Sequence, residues 1–84
     1  MNEKITKALN EVLDAQIESI QNSVNVGNYS DKEPKTIAQL TEQFARNFIL
    51  HHINDKTINK SEVKKIIKNR LIDNQDLLKS YGLI

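Results

Sequence analysis

Residues 3–24 constrain this chain more than any other stretch. Neither Gly nor Pro occurs in them, and Ile5, Leu9, Val12, Leu13, Ile17, Ile20 and Val24 recur at steps of three and four. That is the spacing of one face of an α-helix. Lys4, Lys7, Glu11, Asp14, Glu18 and Gln21 fall between them and supply a solvent face. Asn2 is placed to cap the start, and Glu3 sits where the helix dipole favours an acid. The spacing predicts a helix of roughly 33 Å, at 1.5 Å per residue. In a chain of 84 residues so long a helix needs a partner of matching length, from a second helix or a second chain.

Residues 25–35, NVGNYSDKEPK, break the pattern with Gly, Asn, Ser, Asp and Pro, the residues of loops. Ser30 with Glu33 has capping-box spacing, and Pro34 suits a first helical turn. Tyr29 is expected over the edge of the core. A second helix is expected at about 35–53, with Ile37, Leu40, Phe44 and Phe48 on one stripe and Ala45, Ile49 and Ile53 beside it. Thr41, Glu42, Arg46 and Asn47 lie mostly off that stripe. Phe48-Ile49-Leu50 puts apolar groups on more than one side of the helix, so its end is either deeply buried or meets something outside its own fold.

The connector NDKTIN is rich in turn formers, and Asn59 with Glu62 again has capping-box spacing. A third helix is expected at about 60–72, with Val63, Ile66, Ile67 and Leu71 inward, the lysines outward and Arg70 flanking the buried side. Asp73 would cap a short fourth helix at about 74–81, carrying Leu77, Leu78 and Tyr81 and stopped by Gly82. Leu83 and Ile84 are expected to dock on the core. With no strand-like alternation, the reading is a single all-α domain over 1–84. It is a small helical bundle in which a long antiparallel hairpin (about 3–24 and 35–53) is closed by two shorter helices.

Composition sharpens this. Apolar residues make up 38% and the aromatics are Tyr29, Phe44, Phe48 and Tyr81 alone, so the core must be Ile, Leu and Val. No cysteine is present, which excludes disulfides and fits a cytoplasmic protein. Domains this small often gain stability by self-association. Together with the long first helix and the apolar run 48–50, that leads us to expect a homodimer. The opening MNEKITKALNEVLDAQ interrupts its apolar residues with charges, unlike a signal peptide or a membrane span. The net charge of +1 creates no global field. Yet residues 1–24 carry −2 and residues 55–84 carry +3. The plainest expectation is that acidic and basic helices pack side by side.

Three local patterns suggest chemistry. Asp55-Lys56-Thr57-Ile58-Asn59-Lys60-Ser61-Glu62 resembles the second half of an EF-hand loop, with Glu62 at the twelfth position. In that frame Lys56 stands where the sharp turn needs Gly, and Asp55 and Glu62 are the only charged oxygen ligands. No metal and no cofactor are expected, and Ile58 is expected to pack inward between two helices. His51 and His52 are adjacent, so they leave a helix in different directions, and no third ligand accompanies them.

Arg46-Asn47-Phe48-Ile49-Leu50-His51 resembles the motif of the HEPN ribonuclease families, all-helical proteins in which two chains compose one RNA-cleaving site. The resemblance implies that Arg46 stabilises the phosphate and His51 acts as acid or base, with Asn47 assisting. The alternative pairs Arg46 with Glu42 and has His51 and His52 capping the helix C-terminus, where positive charge is favourable.

The third pattern is basic. Lys60, Lys64 and Lys68 lie along one line of the third helix, with Lys65 beside it and Arg70 nearby. Such a face is most commonly a solvated one or a dock for an acidic protein surface, and it can also follow nucleic-acid phosphates. No Gly-rich phosphate loop, catalytic carboxylate pair or nucleophile motif is present. The reading is therefore a non-enzymatic protein that binds another macromolecule, with Lys60, Lys64, Lys65, Lys68, Arg70, Arg46 and His52 as contact residues. Its general build is that of small helical inhibitors, adaptors and immunity-type proteins of bacteria and their mobile elements. Nucleic-acid binding through the third helix and a HEPN-like dimeric ribonuclease are the competing expectations.

Overall fold

The computed structural model describes residues 3–27 and 36–80 of the chain. Four helices follow in order: α1 (Glu3–Asn25), α2 (Ile37–His51), α3 (Lys60–Asp73) and α4 (Gln75–Ser80). No strand occurs among the described residues, and none of their helices is long and apolar enough to cross a membrane. The molecule is a small all-α bundle. Expectations for Asn2, Tyr29, the Ser30–Glu33 pair, Pro34, Tyr81, Gly82, Leu83 and Ile84 lie outside the described residues, as do those for the side chains of Val24 and Leu77.

α2 and α3 approach most closely and form the central pair, while α1, the longest helix, packs against α3. One core joins all four helices. α1 contributes Ile5, Leu9, Leu13 and Ile20, and α2 contributes Leu40, Phe44, Ala45 and Phe48. Val63, Ile67 and Leu71 come from α3 and Leu78 from α4. Among the described residues, Phe44 and Phe48 are the aromatics of this cluster. Ile58 packs against it from the connector, as the loop frame led us to expect.

The helix ends explain where the boundaries fall. α1 stops before Gly27, whose φ of +76° is a left-handed conformation that costs least without a Cβ. α2 starts later than expected because Thr36 caps it. The Gln39 N–H donates to Thr36 Oγ1 at 3.1 Å, and the Thr36 N–H donates to Gln39 Oε1 at 3.3 Å. This closes a reciprocal capping box. α2 also ends earlier than expected, at His51, and leaves Ile53 exposed in the connector instead of on the apolar stripe. Thr41 is buried, since its hydroxyl donates to Ile37 O at 2.7 Å and needs no solvent.

Asn59 caps α3 by accepting from the Glu62 N–H at 3.1 Å. Asp73, expected to cap the last helix, belongs to α3. The joint is Asn74, whose N–H reaches the Arg70 and Leu71 carbonyls and whose own carbonyl accepts from Leu78 N–H at 3.0 Å.

Candidate functional site

α1 has two flanks, and they differ. On the flank toward α3, Arg70 donates to Asn10 Oδ1 at 2.9 Å and forms an ion pair with Asp14. Asn10 and Asp14 are one helical turn apart, so a single guanidinium fork spans both. This is the only ion pair between acidic α1 and basic α3 among the described residues. Arg70, read from the sequence as a contact for a macromolecule, is turned inward to its own fold.

The flank toward α2 stays open. Val12 and Gln16 of α1 face Asn47, Phe48, His51 and His52 across a hollow of about 440 Å³. Val12 was expected inward but is 37% exposed. It lies at the edge of the apolar stripe, about 100° around the helix from fully buried Leu13. The side-chain oxygen of Gln16 is buried without a hydrogen-bond partner among the described residues. A buried acceptor left unmet costs roughly 1–3 kcal/mol, so this flank holds an unused polar group where the other holds a saturated one. Neither Gln16 nor the edge position of Val12 stood out in the sequence.

The end of α2 forms the rim of the hollow. His51 Nδ1 donates to Asn47 O at 2.7 Å and His52 Nδ1 donates to Phe48 O at 3.1 Å. A carbonyl only accepts, so in these contacts each ring carries a proton on Nδ1. The two histidines close the helix C-terminus, as the plainer sequence reading has it. The His52 ring also stacks on Phe48, with centroids 4.3 Å apart. Leu50, in the last turn of α2, is 59% exposed, and Ile53, in the connector just after it, is 71% exposed.

Arg46 and His51 do not share this hollow. Arg46 lines a separate depression with Ala38, Gln39, Glu42, Gln43 and Asn47. Five residues along a helix turn the side-chain direction by about 140°, so the two groups leave α2 on different sides. Glu42, expected to pair with Arg46, instead meets Lys64 of α3 at 3.0 Å.

In the connector, Asp55 Oδ1 accepts from the Thr57 N–H at 2.8 Å and from the Thr57 hydroxyl at 2.6 Å. The Thr57 hydroxyl, followed by its N–H, holds the Asp55 carboxyl below the usual carboxylate range. The carboxylate closes a local turn, and no group of three His, Asp or Glu side chains that could hold a metal gathers among the described residues.

On α3, Lys60, Lys65 and Lys68 are exposed and make no ion pair among the described residues. Comparison of the chain with protein-family models, with curated proteins and with solved structures gives no match.

Proposed function

We propose that this chain is a non-enzymatic interaction module that binds another protein at the open α1–α2 flank and the end of α2. The observation that supports this reading is the hollow between α1 and α2, edged by exposed Val12 and the Phe48–His52 stack, with Leu50 and Ile53 also exposed near the end of α2. Single exposed apolar residues are ordinary, but a group of them beside a concave hollow is the usual form of a contact surface. The imidazole rings of His51 and His52 add polar groups at its rim. A cysteine-free chain of this kind suits a partner in the cytoplasm.

The test uses the wild-type protein and the Leu50→Asp/Ile53→Asp variant as baits. Wild type should recover one protein in near-stoichiometric amount, and the variant, with its melting temperature unchanged, should lose it. Equal recovery by both would overturn the reading. The same patch supports self-association. Light scattering at tens of micromolar should give a dimer, and a clean 9.7 kDa species removes the homodimer from the proposal.

A further inference from the structure

The basic edge of α3 lies apart from the open flank. Val63, Ile67 and Leu71 face the core, and Arg70 is committed to α1. Lys60, Lys64, Lys65 and Lys68 therefore occupy the remaining side, beside exposed Ser61 and Asn69. Lys60, Lys64 and Lys68 follow one another at four-residue steps, a spacing at which like charges repel and weaken a helix. Only Lys64 is compensated, by Glu42. The acidic residues of α1 do not answer the others, since Asp14 alone reaches α3 and it meets Arg70. The fold thus keeps three cations, Lys60, Lys65 and Lys68, that no ion pair among its described residues uses. A local rule broken without internal compensation points outside the fold.

We infer that this edge of α3 binds the phosphate backbone of duplex DNA without reading its bases. The three lysines of the line cover about 12 Å of helix axis, a length over which a duplex presents roughly seven phosphate charges. Ammonium groups on flexible stems suit phosphates as point charges, whereas base recognition calls for planar Arg, Asn or Gln aimed into a groove. Asn69 is the one exposed side chain of that kind on this side. Lys60, Lys65 and Lys68 carry the contact, and Lys64 joins if Glu42 releases it.

Fluorescence anisotropy with a short labelled duplex of mixed sequence tests this. The full chain should bind, and a fourfold rise in salt from about 50 to 200 mM should weaken binding roughly 40-fold, the value for three neutralised phosphates. Lys65→Glu/Lys68→Glu should weaken binding more than about tenfold. Lys4→Glu/Lys7→Glu changes net charge equally on exposed positions of α1 and should weaken it far less. The neutral Lys65→Gln/Lys68→Gln pair reads the same contacts with no new repulsion in the fold. No binding at the lower salt, equal loss from the α1 and α3 charge reversals, or tighter binding to polyglutamate than to the duplex would each overturn the inference. Because Leu50 and Ile53 are not involved, failure here leaves the protein-binding proposal standing, and the reverse holds too.

Discussion

The two flanks of α1 carry one lesson, because one helix with one apolar stripe ends in two different seams. Toward α3 the seam is shut by the Arg70 fork on Asn10 and Asp14. Toward α2 it stays open around Val12 and Gln16, with an acceptor left unmet. The apolar stripe decides that α1 packs. The polar residues at its edges decide which side closes. A shut seam fixes the bundle, and an open one leaves surface for something else.

Neighbouring residues on α1 test that contrast most sharply. Leu13 is fully buried and touches the shared core, so Leu13→Ala should cost about 2–5 kcal/mol in urea denaturation. Val12→Ala, one residue earlier, should cost under about 1 kcal/mol, since much of the side chain is already in water. Comparable losses would mean that the α2 flank is shut in solution.

Arg70→Ala comes next. Asp14 is well exposed and Arg70 partly so, so the ion pair is screened, and the loss should be about 1 kcal/mol, most of it from the Asn10 hydrogen bond. Hydrogen exchange should quicken in α1 while α2 is unchanged. No change in either would show that apolar contact alone holds this seam.

The smallest expected effect lies in the connector beyond the open flank. The folded Asp55 carboxyl titrates below its unfolded value. Its contribution is therefore present above the unfolded pKa of about 4 and is lost as pH falls through the lower folded value. Amide exchange at Thr57 should quicken across that acid window and stay constant from pH 5 to 8, apart from intrinsic chemistry. No change across that acid window would show that the carboxylate does not hold this turn.

Much of the fold was legible because helical periodicity is local. Ile5, Leu9, Leu13, Val63, Ile67 and Leu71 announce their faces through spacing alone, and all are buried. The Asn59–Glu62 cap was legible for the same reason. The Thr36–Gln39 box was equally local, yet Ser30–Glu33 and Pro34 drew the expected start upstream. The early end of α2 depends on two imidazoles folding back onto carbonyls, a choice the residue order permits without requiring.

The candidate site was less legible because it depends on pairs far apart in the chain. Arg70 lies 60 residues from Asn10, and nothing in the spacing of either says that they meet. Glu42 could have joined Arg46 one turn along its own helix, but α3 brings Lys64 to it. The sequence alone determined that four amphipathic segments would bury an aliphatic core, since period and composition suffice for that. Only the tertiary structure decided which flank of α1 closed, which cations were used up and which stayed in solvent, because those outcomes depend on how the helices approach one another in space.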